Sequence, residues 1–375
     1  MLRHESNWSL ARVVRKIENL GHFILNLNYG AFAILLLAIS LSKSGVRGIQ
    51  PWANLEVIEK FPSLTPGYSQ TSLGLLALSK VLAIDTKFEF FIFNIILLSI
   101  FTFVLSKGLR NYLSDFESRL YLMILFFSPL YVVLLGNIGR HDILTISGLI
   151  LVVVANTKAK TSLGLLVALF GSPEHTIATL FLLLCTAWIF KINMQIRKYV
   201  LSIAMSCIYL LFILMYLRRD ADEISNRFTS VLFDKQIQKE ALSNFLRNAP
   251  LELFSYFGVL LFLLIPFLLG LERLQRFGVF AILVVPALAN ILILDKTRDY
   301  VVAVIPILFL IFRICDVKSK LEVIFDKYHV GKSLVLGVAL LTCIIVPSIE
   351  LTFEGSVRAP YEWILSKAGI LSFIE

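Results

Sequence analysis

Three short polar islands interrupt long apolar runs: Gly139-Arg-His-Asp142, Ser172-Pro-Glu-His175 and Asp295-Lys-Thr-Arg-Asp-Tyr300. Their residue types suit the handling of a phosphate-linked substrate. Arg140 and Arg298 present planar guanidinium forks that grip phosphate through paired hydrogen bonds and never lose their charge. Asp142 and Glu174 can take a proton from an acceptor hydroxyl, as can Glu56 and Glu59 upstream. His175 transfers protons near neutrality, and Glu174 with His175 can position an acceptor or stabilise a leaving group. His141, Asp299 and Tyr68 are supporting candidates. Ionisable groups between apolar runs are expensive to keep, so they mark function by default.

Each island also has a plain structural use. Asp142 suits a helix cap or first turn, and Pro173-Glu174 an ordinary helix start. His175 suits a hydrogen-bonded packing position, and Arg298 with Asp299 a boundary anchor and its counter-ion. Glu56 and Glu59 are three residues apart, as on the wet side of a short helix. No island is specific alone; the functional reading rests on several of them facing one way.

The elements that must hold them are helices in lipid. Of 375 residues, 58% are hydrophobic and 16% charged, with a mean hydropathy of +0.82. Such a chain has lipid as its main solvent. Its net charge of +9 resides in short loops between apolar runs, which argues for anionic lipid headgroups and against nucleic acid. Four cysteines without CxxC spacing read as packing residues.

Apolar segments at 22–43, 88–106, 120–136, 142–155, 162–172, 176–190, 199–217, 251–271, 277–294, 299–314 and 333–351 predict an all-α, polytopic single domain over 1–375 with about eleven membrane helices. Those at 142–155 and 162–172 are short enough to be half-spans. Residues 1–21 read as a cytoplasmic interfacial helix, 44–87 as an outer loop with a membrane-surface helix at 71–84, and 218–250 as an outer loop. Keeping 71–84 out of the bilayer leaves the short basic loops inside and all three islands outside. No internal repeat is visible.

The order of these features resembles the EpsG-like and Wzy-like polysaccharide polymerases, and more broadly the GT-C class of membrane glycosyltransferases. Pro66-Gly-Tyr68 precedes an apolar helix and a Phe-rich span; Gly139-Arg-His-Asp142 and Glu174-His175 open helices; Arg298-Asp-Tyr300 leads into a span with Pro306. The resemblance implies a GT-C-like arrangement in a bacterial inner membrane, with the N-terminus cytoplasmic and the active face periplasmic. It implies a polyprenyl-phosphate-linked saccharide donor, a glycan acceptor, and Arg140 and Arg298 on the lipid phosphate. Such enzymes usually carry an acidic residue soon after the first span, whereas here nothing acidic lies between Lys43 and Glu56. The base therefore stays open among Glu56, Glu59 and Asp142. So does a divalent metal, Mg or Mn.

The expectation is a membrane glycosyltransferase or polysaccharide polymerase of surface glycan (O-antigen or exopolysaccharide) assembly. It would work with membrane lipids, other glycan-assembly proteins and no nucleic acid. The alternative is a transporter or flippase of a lipid-linked or anionic solute.

Overall fold

The computed structural model describes residues 2–44, 58, 73–136, 139, 141–216, 235–258, 271–290, 296–314, 325–327, 329 and 331–346. Among these residues the chain is all-helical, with no strand. Glu56, Glu59, Tyr68 and Arg140 lie outside the described residues.

The helices are α1 Leu2–Asn26, α2 Tyr29–Ser44, α3 Leu73–Val81, α4 Lys87–Arg110, α5 Asp115–Phe126, α6 Pro129–Gly136, α7 Asp142–Val154, α8 Lys158–Gly171, α9 Pro173–Ile189, α10 Asn193–Tyr216, α11 Lys235–Phe257, α12 Arg273–Asn290, α13 Lys296–Ile314 and α14 Lys332–Ile345. Two of them, α4 and α10, are long and apolar enough to cross a membrane, or three spans if the bent pair α5–α6 counts as one. At 24 residues, α4 is about 36 Å long against a hydrocarbon core of about 30 Å. Phe88, Ile92, Ile96, Ile100 and Phe103 form an outward stripe on it, and Val200, Leu201, Met205, Ile208 and Phe212 do so on α10. Such contiguous outward apolar faces suit lipid rather than water. Of the eleven expected membrane helices, the rest of the described ones are shorter or more polar than these.

The interior is built differently. Helix α13 is buried almost all round from Tyr300 to Phe312, and α5 and α6 are buried from Phe116 to Leu135. The expected run 120–136 is not one helix: α5 and α6 meet at 51°. Pro129 has no N–H to continue the ladder, and Ser128 Oγ patches the gap by donating to Leu125 O at 2.7 Å and accepting from Leu130 N at 3.2 Å. The expected first span 22–43 is likewise two helices, broken at Leu27 and Asn28. There Arg119 donates to Ile24 O and Leu27 O, both at 2.9 Å, and so satisfies the carbonyls that end α1. The interfacial helix expected over 1–21 is a helix here that runs on to Asn26 and packs its C-terminal half on α14. Gly21 lies against the Ser333 carbonyl and Gly337 against that of Ile17, too close for any Cβ. Of the segment expected on the membrane surface, α3 has nine residues, about half of what a crossing needs.

Helix direction places the islands. Helices α7 and α8 form a tight antiparallel hairpin in which Gly148 and Gly164 meet at backbone distance. Its open end closes at Gly171, where a Cβ would stand 2.2 Å from Thr145 Oγ1 and 2.5 Å from Thr145 N. Helix α13 runs parallel to α7, with Arg298 reaching Asp142 at one end and Arg313 reaching Val153 O and Asn156 at the other. The N-termini of α7, α9 and α13 thus gather at one end of the bundle. Lys198 and Arg313 meet the C-terminus of α7 at the opposite end. Gly171→Ala is predicted to cost about 1–3 kcal/mol through overpacking, read by thermal denaturation in detergent. The control Gly30→Ala, whose Cβ meets only Asn28 Oδ1 at 3.4 Å, stays within about 0.5 kcal/mol.

Candidate functional site

Gly139 has φ +96°, in the region that L side chains rarely adopt, and its Cα faces the Phe90 ring so closely that a Cβ would lie 2.6 Å from it. That glycine turns the chain into α7 and delivers His141 and Asp142 to the helix start. Opposite, Ser172 ends α8 and caps α9: its backbone N–H donates to Ala168 O and its Oγ accepts from His175 N. Pro173 follows at the first helical position, and Thr176 Oγ1 ties the turn back to Ala168 O at 3.0 Å. Glu174 and His175 are fixed by these local bonds. The third contributor is the first turn of α13, anchored by Thr297 Oγ1 donating to Ser255 Oγ of α11 at 3.0 Å.

All three islands meet here. Arg298 Nε donates to Asp142 Oδ2 at 2.7 Å, and its Nη2 donates to His141 Nε2 at 3.0 Å. His141 Nε2 is therefore the acceptor in that contact, which places the proton of the neutral imidazole on Nδ1. The Asp142 side chain is 2% exposed and that of Arg298 12%. A guanidinium keeps its charge, so this contact is a buried ion pair across 156 residues of sequence. Asp142 Oδ1 is buried with no hydrogen-bond partner among the described residues and lies 3.8 Å from His141 Nε2.

A second pair stands beside the first. His175 Nε2 lies 2.9 Å from Asp299 Oδ1, and His175 Nδ1 lies 2.8 Å from Ser172 Oγ. Ser172 Oγ is also 3.2 Å from Glu174 Oε2. The His141 and His175 rings are 6.2 Å apart between centroids, and joined with the two aspartates they make one cluster. At 28% and 19% exposure, the His175 and Asp299 side chains are more open than Asp142.

These contacts sort the expected residues. His141, Asp142, Glu174, His175, Arg298 and Asp299 come together; Arg140, Glu56, Glu59 and Tyr68 fall outside the described residues. Asp142 sits at the first position of α7, yet its bonded partner is Arg298 and no cap bond is formed by the preceding His141. An ionised carboxylate locked to a guanidinium is a poor base, so the geometry favours Asp142 as a positioning group over a proton acceptor. Sequence reasoning gives Ser172 no role of its own, since the helix start reads from Pro173-Glu174; its cap and its contact with the His175 ring come from the fold. Among the described residues no three His, Cys, Asp or Glu side chains could hold a metal ion.

No family model matches the chain, and no match was found among curated proteins or solved structures.

The ion pair carries a stability prediction. Arg298→Met strands a buried carboxylate and Asp142→Leu a buried guanidinium, each at about 3–5 kcal/mol, whereas the double variant recovers most of that loss. Unfolding in detergent measures the cycle; purely additive costs would contradict the pairing.

Proposed function

We propose that the chain is a membrane-embedded glycosyltransferase or polysaccharide polymerase. It would transfer sugar from a polyprenyl-phosphate-linked donor, within a GT-C-like arrangement of spans. The observation that carries this reading is the meeting of Arg298, His141 and Asp142 with Glu174, His175 and Asp299 at one end of an apolar helical bundle. Positive charge to stabilise a departing phosphate and groups to manage the acceptor's proton are what sugar transfer from a lipid phosphate demands. Outward apolar faces on α4 and α10 suit a donor that arrives through lipid.

Within this reading Arg298 and Arg140 supply the cationic side, and Arg298 acts from its fixed position against Asp142. Glu174 and His175 are the accessible proton-handling groups. Glu56, Glu59 and Tyr68 belong to the outer loop 44–87 and stay candidates for the base and its support. Sidedness follows from charge: Lys198 and Arg313 lie at the far end with the basic loops, so that end is cytoplasmic by positive-inside bias and the site faces the periplasm. The membrane is then a bacterial inner membrane, with glycan-assembly proteins as neighbours.

One observation favours the transporter or flippase alternative. The bend of 51° between α5 and α6 resembles the broken helices of secondary transporters. Against it, the charged cluster lies at helix ends and no internal repeat is visible in the sequence.

The purified chain in nanodiscs, given a polyprenyl-phosphate-linked saccharide and a glycan acceptor, is predicted to form a new glycosidic bond. Glu174→Gln and His175→Ala would each lower kcat by roughly 100-fold with membrane insertion intact. Movement of the lipid across vesicles without sugar transfer would establish the alternative.

A further inference from the structure

We propose that Ser172 and Asp299 join Glu174 and His175 into one proton relay, in which Glu174 takes the acceptor's proton, Ser172 passes it on and His175 stores it. The relay rests on the transfer reading above and assigns the base that the sequence leaves open.

The hydrogen-bond inventory carries it. A carboxylate accepts only, so the 2.9 Å contact with Asp299 Oδ1 puts a proton on His175 Nε2. In neutral His175 the Nδ1 lone pair is then left to accept, and the Ser172 hydroxyl at 2.8 Å donates to it. In protonated His175, Nδ1–H donates to Ser172 Oγ instead. The serine proton then turns to Glu174 Oε2, 3.2 Å away. Both states leave every N–H and O–H in the chain of contacts with an acceptor. Moving a proton between Glu174 and His175 therefore strands no donor, and this is what separates a relay from a static cap.

The step balances. The acceptor O–H breaks as its oxygen bonds to the anomeric carbon, and the bond from that carbon to the lipid phosphate breaks, the phosphate leaving with the electron pair. The released proton goes to the Glu174 carboxylate. Glu174 gives it to Ser172 Oγ as the serine's own proton moves to His175 Nδ1. Glu174 ends ionised again, and the imidazolium lies against Asp299 until it returns the proton to the departed phosphate or to water. Asp299 and Ser172 do not touch substrate; Asp299 is a positioning residue and Ser172 a carrier. Among the described residues, the charged and titratable groups around His175 are Asp299 and Arg298 from α13, His141 and Asp142 from the α7 end, and Glu174 on its own turn.

Two readouts on the full chain in nanodiscs test this. In the first, diethylpyrocarbonate modifies neutral histidine at fixed pH 6, and mass spectrometry follows the peptide carrying His175. Asp299→Asn keeps an acceptor oxygen but removes the negative charge that favours the protonated ring, so modification accelerates about tenfold, while Asp299→Glu stays near the wild type. An unchanged rate in Asp299→Asn overturns the pairing. In the second, transfer from a polyprenyl-phosphate-linked saccharide is timed in mixtures of light and heavy water. The wild type gives a curved proton inventory, because more than one proton moves together. Ser172→Ala loses roughly 100-fold in kcat at unchanged KM, and Ser172→Thr, which keeps the hydroxyl and the cap, retains most activity. Wild-type transfer with an equally active Ser172→Ala overturns the relay and leaves the transfer reading standing. No transfer by the wild type overturns the transfer reading, and the relay falls with it.

Discussion

The Arg298–Asp142 contact is the constraint on which the arrangement turns. It joins the first turns of α13 and α7, which are 156 residues apart in sequence, and it is buried. Two ions withdrawn from water are tolerable only as partners, so neither helix can slide or rotate without exposing a charge to apolar surroundings. The same helix α13 bears Arg313 at its far end, hydrogen-bonded to Val153 O and Asn156 Oδ1. One helix thus grips the other at both ends. Because α9 starts from Gly171 packed on Thr145, fixing α7 also fixes Ser172, Glu174 and His175.

Cations at helix C-termini elsewhere follow one rule. Lys43 donates to Cys343 O and Val346 O at the end of α14, Arg119 to Ile24 O and Leu27 O at the end of α1, and Lys198 to Ala155 O at the end of α7. The last carbonyls of a helix have no partner within it and carry partial negative charge, so a cation there satisfies hydrogen bonds and the dipole together. The cluster at the N-termini of α7, α9 and α13 inverts this. There helix N-termini meet side chains of both signs, and His175 and Asp299 are more exposed than any capping need requires. That contrast separates the candidate site from the structural cations.

Much of this was legible in the residues, and the part that was not has a physical reason. Apolar runs with helical spacing announce an all-α chain, and Ser172-Pro173 announces the start of α9. That the three islands share one end also follows from alternating the helices between basic loops. Hydropathy does not identify partners, because core-facing and lipid-facing positions are equally apolar. Nothing in Arg298 or Asp142 taken singly points to the other. The breaks at Asn28 and Pro129 sit inside runs whose average is strongly apolar, so a hydropathy window passes over them, and Arg119, which satisfies one of them, is distant in sequence. Pro173-Glu174 looked like a helix start and is one; that Ser172 caps it and also touches the His175 ring appears only when the turn is folded.

The most direct measurement is a cryo-EM structure of the chain in a lipid nanodisc with a non-hydrolysable polyprenyl-phosphate-linked saccharide. The phosphate is predicted to lie beside Arg298 where the N-termini of α7, α9 and α13 meet, with the acceptor side open toward Glu174 and His175. A lipid phosphate bound instead by Lys198 and Arg313 at the opposite end, with the Arg298 cluster untouched, would contradict it.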